Sequence, residues 1–417
     1  MTANARSGNQ PARCRFCGGA LHAFVDLGMS PLCESFLASE QLNAAEAFYP
    51  LAAHVCADCF LVQLQEYVAP EAMFTEYAYF SAFSDAWLDH ARRYTDAMTA
   101  KLALSAKSRV IELGSNDGYL LQYFVAKGIP VLGIEPAANV AVAAEKRGVA
   151  TRVAFFGTAT ARELAGEGIT ADLIAGNNVL AQVPDLNSFV EGIRIILKRG
   201  GVCTIEFPHL LKTMVGNQFD QIYHEHFSYF SALTVERVFA AHGMRLFDIE
   251  ELWTHGGSLR IYACHADDAR WPTQSAVAAV IDRERKAGLD RLETYAAFVD
   301  QVQATKRKLL SFLIDAKSRN KTVAGYGAPG KGNTLLNYCG IRTDFLDYTV
   351  DRNPYKHGKF LPGTHIPIFP PEKIAETKPD YVLILPWNLK DEIATQLAYI
   401  RDWGAKFVVP IPELTVF

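Results

Sequence analysis

The sequence predicts an α/β protein: a central doubly wound, Rossmann-like sheet, a small cysteine-rich N-terminal domain and a second Rossmann-like domain at the C-terminal end. Two CxxC pairs near the N-terminus indicate the first domain. Two apolar strands, each ending in a glycine-rich turn before a helical pattern, indicate the other two. A chain of 417 residues is long enough for two or three domains. We expect them at residues 1–80, 81–260 and 261–417.

The composition is that of a globular protein without a strongly charged surface. Half of the residues are hydrophobic, 21% are charged, and the net charge is −4 at pH 7. Nucleic acid and anionic membranes are therefore not expected as main partners, and we expect a monomer or a weak oligomer. The polar residues 1–13 lack a secretory signal core, and no run approaches the ~20 apolar residues that span a bilayer. These features predict a cytoplasmic location.

The first element is the cysteine-rich segment. Cys14 and Cys17 form one CxxC pair, and Cys56 and Cys59 form the other. Each pair brings two thiolates to one side of a tight turn, and two such turns supply the four soft ligands of a tetrahedral zinc ion. A closed four-sulfur shell leaves no open coordination position, so the zinc ion is predicted to be structural. The long segment between the pairs suits a small β-rich insertion.

The central element is an apolar strand, residues 109–114, that ends in a Gly-Ser-Asn-Asp-Gly turn. A second strand ends at Glu135, about 20 residues after the first glycine, where dinucleotide folds place the acid that holds ribose hydroxyls. The turn lacks a full GxGxxG pattern, which favours a ligand without pyrophosphate. S-adenosylmethionine, a sulfonium with an amino-acid tail, fits. The residues expected at this site are Glu112, Gly114, Ser115, Asn116, Asp117, Gly118, Glu135, Pro136, Phe155, Phe156, Asn177, Asn178 and Gln182.

A polar cluster follows the fifth strand of the central domain. Tyr223, His224, Glu225 and His226 stand together between aromatic residues. At the mouth of a doubly wound sheet, such groups can supply a general base and a stabiliser for an enolate. A metal site is an alternative, but the spacing is not that of a zinc-binding helix. A third alternative is an aromatic loop whose histidines are only hydrogen-bonded.

The third element repeats the strand, turn and helix plan. A charged stretch, residues 281–317, predicts one connector helix. Gly325, Gly327 and Gly330 then satisfy GxGxxG, and Lys331 follows, a combination that suits phosphate or pyrophosphate. Taken alone, this pattern favours an NAD-dependent oxidoreductase, but that function leaves the central site unexplained. A methyltransferase explains both sites if the third section binds a phosphorylated substrate. A zinc-containing interaction protein explains neither.

The order of these motifs resembles the deoxysugar C-methyltransferases of antibiotic pathways. The motifs are CxxC…CxxC, Tyr-Ala-Tyr-Phe-Ser at 77–81, Glu-Leu-Gly-Ser-Asn-Asp-Gly at 112–118, Tyr-x-Glu-His at 223–226 and Gly-Tyr-Gly-Ala at 325–328. This family includes sugar C-3 methyltransferases that act on dTDP-linked 4-keto sugars, with C-5 methylating relatives. The similarity runs from Cys14 to the C-terminus. It implies a zinc-bearing domain, an adenosylmethionine domain and a C-terminal domain that holds the nucleotide-sugar.

The resemblance also implies roles for particular residues. Tyr223, Glu225 and His226 match the family's active-site motif, and either Tyr77 or Tyr79 matches a further active-site tyrosine. The residues expected to bind substrate are Gly325, Tyr326, Gly327, Ala328, Lys331, Asn333, Asp351, Trp387 and Asn388.

Two positions depart from the family pattern. Gln182 stands in the loop after the fourth strand, where relatives carry a histidine. His224 fills a position that is often acidic in relatives, and it is a second candidate base.

These residues suggest a reaction. A 4-keto group acidifies the neighbouring C–H bond, and His226, polarised by Glu225, removes the proton. Tyr223 and one tyrosine of the 77/79 pair stabilise the enolate, whose carbon attacks the sulfonium methyl group. The roles of Glu225 and His226 are open to exchange, with Glu225 as the base. A C-methyltransferase acting on a different carbonyl substrate is a further alternative.

Overall fold

Strands of the described residues form three sheets, one in each predicted part of the chain. The structure is a computed structural model that describes residues 13–74, 81–83 and 85–417. The strands are β1 (Leu21–Ser30), β2 (Tyr49–Cys56), β3 (Val62–Leu64), β4 (Val110–Leu113), β5 (Val131–Glu135), β6 (Thr151–Val153), β7 (Ala171–Asn177), β8 (Leu197–Pro208), β9 (Ser228–Tyr229), β10 (Met244–Leu252), β11 (Ser258–His265), β12 (Val323–Tyr326), β13 (Thr349–Val350), β14 (Ile368–Phe369), β15 (Tyr381–Ile384), β16 (Lys406–Val409) and β17 (Thr415–Val416).

The helices connect these strands and cover the sheets. They are α1 (Pro70–Phe74), α2 (Asp85–Lys101), α3 (Leu121–Ala126), α4 (Ala138–Lys146), α5 (Thr158–Gly166), α6 (Leu186–Ile196), α7 (Leu210–Val215), α8 (Ala232–Ala241), α9 (Ser275–Lys286), α10 (Leu292–Ala296), α11 (Phe298–Ser318), α12 (Gly330–Cys339), α13 (Lys373–Thr377) and α14 (Lys390–Gln396). Within the part of the chain that the structure describes, none of these helices is long and apolar enough to cross a membrane.

The N-terminal sheet is antiparallel, in the order β1-β2-β3-β9. Strands β1 and β2 form the predicted β-rich insertion between the two cysteine pairs. Its fourth strand, β9, follows the polar cluster of the central part by two residues, with Tyr229 opposite Val62 and Ser228 opposite Gln63. The segment that carries the candidate catalytic residues is therefore anchored to the N-terminal sheet.

The central sheet has the predicted doubly wound core. Its order is β10-β11-β8-β7-β4-β5-β6, and strands β4 to β8 run parallel. Strand β4 lies between β5 and β7, so the chain reverses its direction of winding there and opens a crevice at the carboxyl end of β4. All four residues of β4 are buried, which explains its continuous apolar pattern around Glu112.

Two antiparallel strands, β10 and β11, extend the central sheet beside β8. Strand β11 crosses the expected domain boundary between residues 260 and 261. All of its residues are buried, and it pairs with β8 on both sides of that boundary. A domain boundary inside a buried strand would divide one hydrophobic core. We therefore propose that the central domain extends through His265.

The C-terminal sheet repeats the doubly wound plan. Its order is β14-β13-β12-β15-β16-β17, with every pair parallel except β16 with β17. Strand β12 lies between β13 and β15, which makes the carboxyl end of β12 a second switch point. Only three residues separate this strand from helix α12, which begins at Gly330.

The prediction of one connector helix over residues 281–317 is wrong. The segment forms the end of α9, then α10 and α11. Gly288 adopts φ +85° and its N–H bonds the carbonyl of Arg285, so it ends the first helix as glycine commonly does. The turn lets α10 and α11 pack against β1, where Phe24 stacks on Phe298 with ring centroids 4.9 Å apart.

Candidate active site

A cavity of about 880 Å³ lies where the three parts of the chain meet. Its wall contains Gly114 at the end of β4, Tyr223 from the polar cluster and Lys331 at the start of α12. Glu34, from the N-terminal part, completes the wall. The two switch points of the sheets and the candidate catalytic residues therefore open into one space.

The central glycine turn brings main chain directly to this cavity. Gly114 has φ +66°, a left-handed conformation that favours glycine. A Cβ atom at Gly114 would lie 2.9 Å from Cγ2 of Val179. A side chain would therefore clash beside the turn, at the place where the sequence predicts an adenosyl ligand.

Glu135 braces the turn and faces the cavity. Its carboxylate accepts the N–H of Asn116 and the N–H of Ala137, both at 2.9 Å. Burial raises the pKa of Glu135, and these two N–H donors oppose the shift. Each carboxylate oxygen keeps a second lone pair. The group is therefore placed to accept hydrogen bonds from ribose hydroxyls while it holds the turn.

Asn116 and Asp117 attach the start of the central domain to the turn. Oδ1 of Asn116 accepts the N–H of Ser81 at 2.9 Å, and Oδ2 of Asp117 accepts that of Ala82 at 3.3 Å. Asp117 also forms an ion pair with Arg147 at 2.9 Å. The side chains that distinguish this turn from a phosphate-binding loop therefore hold the segment that begins at Ser81, which lines the cavity.

The predicted adenosyl residues divide into a wall and a support. Those that line the cavity are Gly114, Asn116, Glu135, Pro136, Phe155, Phe156, Asn177, Asn178 and Gln182. Those that lie behind the wall are Glu112, Ser115, Asp117 and Gly118. Glu112 is fully buried in β4, and burial raises its pKa well above the usual range.

Tyr223 and His226 form a hydrogen-bonded pair on the cavity wall. The Tyr223 hydroxyl lies 2.9 Å from Nε2 of His226, and Nδ1 of His226 lies 3.1 Å from the carbonyl oxygen of Gln221. The carbonyl only accepts, so Nδ1 carries the hydrogen and Nε2 accepts from the tyrosine. Burial lowers the pKa of His226 to about 4. The ring is therefore neutral near pH 7, with its basic nitrogen beside Tyr223.

The neighbouring residues Glu225 and His224 take different positions. The thiol of Cys33 lies 3.8 Å from Oε1 of Glu225, which lines the cavity. Both ring nitrogens of His226 are hydrogen-bonded, one to Gln221 and the other to Tyr223. The predicted polarisation of His226 by Glu225 would need one of these nitrogens, so the geometry does not support it.

His224 faces the N-terminal sheet. Its Nε2 lies 3.2 Å from the carbonyl of Pro50, and its ring packs edge-on against Tyr49. His224 is absent from the cavity wall, so the structure does not bring this predicted second base to the site. The two candidate tyrosines, Tyr77 and Tyr79, lie outside the described residues.

The C-terminal wall carries a half-buried lysine. Nζ of Lys331 donates to Oδ1 of Asn388 and lies 4.7 Å from the ring centroid of Trp387. The indole N–H of Trp387 donates to Asp220 at 2.7 Å. Burial lowers the pKa of Lys331 to about 8 and raises that of Asp220 to about 7. Lys331 therefore presents a weakly solvated cation at the cavity. Behind it, Trp387 bonds Asp220 of the central part of the chain.

The other predicted substrate residues also divide. Those on the cavity wall are Tyr326, Gly327, Lys331, Asp351 and Asn388. Those behind it are Gly325, Ala328, Asn333 and Trp387. Gly325 lies inside β12 rather than in the turn, so the GxGxxG pattern is shifted relative to a dinucleotide-binding turn. Asn333 donates to the carbonyl of Cys33 and so holds the N-terminal part against α12.

Several wall residues were missed by the sequence analysis. Glu34, Trp87, Arg352 and Lys356 lie in segments without a recognisable motif. His255 had a usable signal, because it directly precedes two glycines in the short segment between β10 and β11. Glu34 was the least accessible to sequence reasoning, since it reaches α12 from a distant part of the chain, where it accepts the N–H of Gly330 and pairs with Lys356 at 3.7 Å.

The four predicted zinc ligands form a cluster. Cys14, Cys17, Cys56 and Cys59 place their sulfur atoms within 4.8 Å of one another. The Cys14–Cys59 and Cys17–Cys56 sulfur distances are 3.6 and 3.4 Å. Four converging thiolates are the donor set of a structural zinc site, so these residues fit the ion. The cluster lies at the base of the N-terminal sheet, away from the cavity wall.

Family models match three successive parts of the chain, and the third of these parts begins before β11. Family models match residues 14–74 as a zinc binding domain, 87–248 as a methyltransferase domain and 253–412 as a C-methyltransferase C-terminal domain. The C-methyltransferase NovU of Streptomyces niveus is 35% identical over 401 residues, which cover 96% of this chain and 95% of NovU.

Solved structures match less than half of the chain, at low similarity. A S-adenosylmethionine-dependent methyltransferase from Clostridium acetobutylicum is 13% identical, with TM-score 0.35, and covers 44% of this chain and 92% of its own. The magnesium protoporphyrin IX methyltransferase of Synechocystis, solved with bound SAM, is 14% identical, with TM-score 0.32, and covers 43% of this chain and 81% of its own.

Proposed function

Because this chain belongs to the zinc-containing family of S-adenosylmethionine-dependent C-methyltransferases, we propose that its acceptor is a nucleotide-linked 4-keto deoxysugar. The methyl group is added to a carbon next to the ketone. The observation that carries the proposal is the single cavity shared by the glycine turn of β4, the Tyr223–His226 pair and the Lys331 wall. A donor, a base and an anion-binding group then meet around one acceptor.

The cationic wall supports a nucleotide-linked acceptor. Lys331, Arg352 and Lys356 line the cavity beside the first turn of α12, where main-chain amides and the helix dipole also favour anions. Glu34 already accepts one amide of that turn and pairs with Lys356. We therefore assign the sugar-linked diphosphate to Lys331 and Arg352, and the nucleoside to the wall near Asp351 and Asn388.

The Tyr223–His226 pair supports proton removal next to a ketone. When bound, S-adenosylmethionine supplies an electrophilic methyl group and leaves as S-adenosylhomocysteine. His226 Nε2 takes the proton from the carbon, and the electron pair of the C–H bond moves into the enolate. Tyr223 turns its O–H from Nε2 to the ketone oxygen, where negative charge develops. The enolate carbon then bonds to the methyl carbon, and the proton stays on His226.

Glu225 is the alternative base, because it also lines the cavity. Its oxygen near the Cys33 thiol is held on the N-terminal side, whereas His226 is fixed by two hydrogen bonds that present Nε2. This arrangement favours His226 as the base. A tyrosine of the 77/79 pair remains part of the proposal as a second group that orients the acceptor.

The first test identifies the acceptor. The purified protein is incubated with methyl-labelled S-adenosylmethionine and a panel of 4-keto nucleotide-sugars, and the products are analysed by mass spectrometry. We expect label on a sugar carbon next to the ketone. If no sugar of the panel is labelled, but another carbonyl compound is, the chain is a C-methyltransferase that acts on a different class of substrate.

The second test separates the two candidate bases. Solvent deuterium exchange at the acidified carbon is followed with S-adenosylhomocysteine in place of the methyl donor, so that proton removal is measured alone. We expect His226→Asn to slow exchange by ~10²–10⁴-fold, the usual contribution of a positioned base. His242→Asn serves as the control, because His242 bonds Asn187 outside the cavity. If only Glu225→Gln stops exchange, Glu225 is the base.

The proposed base also predicts a pH profile. A base acts in its unprotonated form, and burial holds the pKa of His226 at about 4, below the ordinary value of 6.5. We expect kcat/KM to show no loss of this base as the pH falls from 8 to about 5, and to decrease through pH 4. A loss centred near pH 6.5 would contradict a buried, neutral His226.

A further inference from the structure

His255 lies on the cavity wall between β10 and β11, and the reaction described above does not use it. Its main chain is left-handed, with φ +54° and ψ +22°. The next two residues, Gly256 and Gly257, have φ +86° and +120°. A residue with a side chain is uncommon in this conformation and, where one persists, the surrounding structure holds it there, often at a functional site.

The loop that carries His255 is fixed to the catalytic segment. Nε2 of Gln221 donates to the carbonyl oxygen of His255 at 3.0 Å, and Nε2 of Gln218 donates to that of Gly256 at 2.9 Å. The main-chain carbonyl of Gln221 also accepts the hydrogen bond of His226. Gln221 therefore holds both imidazoles on one wall, and the charged form of His255 is close enough to lower the pKa of His226.

The imidazole of His255 is neutral and has no protein hydrogen bond among the described residues. Its ring packs edge-on against Trp87, with centroids 5.5 Å apart, and its Nδ1 is buried without a hydrogen-bond partner. Burial, with the charge of Lys331, lowers the pKa of His255 to about 4. A buried N–H without a partner is rarer than a buried lone pair. The hydrogen of the neutral ring therefore belongs on Nε2, which makes Nε2 a donor.

We propose that His255 is a further catalytic residue, whose Nε2–H donates a hydrogen bond to the ketone oxygen of the acceptor and stabilises the enolate oxygen. The role rests on the proposed function. His226 takes the proton, the electron pair of the C–H bond moves to the oxygen, and the hydrogen bond from His255 strengthens as that charge grows. No bond of His255 is broken. Together with Tyr223, it forms a two-donor oxyanion site.

A neutral imidazole suits this role better than a charged one. It donates a hydrogen bond without offering a proton acidic enough to be lost to the enolate carbon, and a buried neutral histidine acts in this way in triosephosphate isomerase. Trp87 shields the ring from water, which strengthens a hydrogen bond to developing charge. The strained loop keeps the donor in place before the substrate arrives.

The test uses substitutions that tolerate the left-handed backbone. His255→Gly removes the imidazole, and His255→Asn replaces it with an amide that still donates an N–H. His365→Gly is the matched control, because His365 has φ +55°, pairs with Glu46 at 3.0 Å and lies outside the cavity wall. We expect His255→Gly to lower kcat by ~10²–10³-fold, the usual loss for one oxyanion donor, with a much smaller change in KM.

Two further readouts distinguish chemistry from folding. Deuterium exchange at the acidified carbon should fall together with kcat, while binding of S-adenosylhomocysteine stays at the wild-type value. If His255→Gly unfolds, the comparison of His255→Asn with His255→Asp decides, since both residues tolerate this backbone but only asparagine keeps a donor. We expect the asparagine variant to retain far more activity than the aspartate variant.

The outcomes separate this role from the proposed function. A wild-type protein that methylates no 4-keto nucleotide-sugar overturns the proposed function and this role with it. If the wild-type protein methylates such a sugar, but His255→Gly has the same kcat and the same exchange rate as the control His365→Gly, only the role of His255 is overturned. Equal activity of the asparagine and aspartate variants overturns it as well.

Discussion

The two glycine turns of this chain share one plan and differ in the chemistry that they present. In both, an acid at the carboxyl end of the neighbouring strand accepts two main-chain hydrogen bonds. Glu135 accepts one from Asn116 of the turn and one from the residue two positions after itself. Asp351 accepts one from Ala328 of its turn and, again, one from the residue two positions on. In both sites the acid first holds the turn, and only its remaining lone pairs are available to a ligand.

The difference lies in the distance from strand to helix. Residues 114–120 separate β4 from α3, whereas only residues 327–329 separate β12 from α12. The long turn presents main chain, a carboxylate and aromatic rings, and the Arg147 cation beside it is paired with Asp117. The short turn presents the start of a helix and Lys331. The spacing between strand and helix, rather than the glycine pattern, indicates which turn receives an anion.

The comparison predicts that the central turn tolerates a methyl group worst. In Gly114→Ala, the left-handed backbone and the contact with Val179 at 2.9 Å together cost about 2–4 kcal/mol, which the free turn relieves by shifting. The ligand must restore the original turn, so we expect S-adenosylhomocysteine to bind roughly 100-fold more weakly. Titration calorimetry measures this affinity. The double variant Gly114→Ala/Val179→Ala should recover part of the loss, because it removes the steric contact but not the backbone strain. Wild-type affinity in the single variant would contradict close approach of the ligand.

A lysine substitution should affect only the other turn. In Lys331→Met, loss of a charged donor costs about 1.5–3 kcal/mol, so we expect KM for the nucleotide-sugar to rise roughly 10- to 100-fold while S-adenosylhomocysteine binds normally. Lys306→Met is the control, because Lys306 also lies 4.7 Å from an aromatic ring, that of Tyr338, but outside the cavity. If both lysine variants raise KM equally, Lys331 does not contact the acceptor.

The smallest expected effect is that of removing the charge of Glu135 or Asp351, each of which holds its own turn through main-chain hydrogen bonds. Glu135→Gln and Asp351→Asn keep the shape of each side chain, but the amide turns one N–H toward a main-chain donor. We expect each to destabilise the fold by about 1 kcal/mol, the value of one hydrogen bond, seen as a similar decrease in Tm. The ligand effects should differ, with Glu135→Gln weakening only the adenosyl ligand and Asp351→Asn only the nucleotide-sugar. The same ligand profile for both variants would refute two separate subsites.

Local signals in the sequence predicted most of the scaffold. The cysteine pairs, the buried strand around Glu112 and the two glycine turns each occupy a short continuous segment, so their geometry follows from neighbours in sequence. The four-cysteine cluster, the doubly wound core and the C-methyltransferase family were predicted correctly. The connector helix was wrong because apolar positions keep helical spacing across Gly288, and the stop signal of that glycine was not used.

Long-range contacts were not predictable in the same way. Strand β9 has two residues, too few to show an alternating pattern, and it pairs with β3 only because the whole central domain brings it there. Glu34 likewise contacts α12 only because the folded N-terminal part packs against that helix. The tautomer and partner of His226 depend on a main-chain carbonyl, which sequence does not reveal. Such features require the assembled cavity.

The pairing of Val62 with Tyr229 sets an order for assembly during synthesis. The first three strands of the zinc-bearing sheet leave the ribosome early, but the sheet stays open at the edge of β3 until residue 229 has been translated. That exposed edge is a template for wrong pairing in the interval. A truncated N-terminal fragment would keep the metal ligands and lack the closing strand, so exchange of this module between relatives must carry residues 228–229 with it.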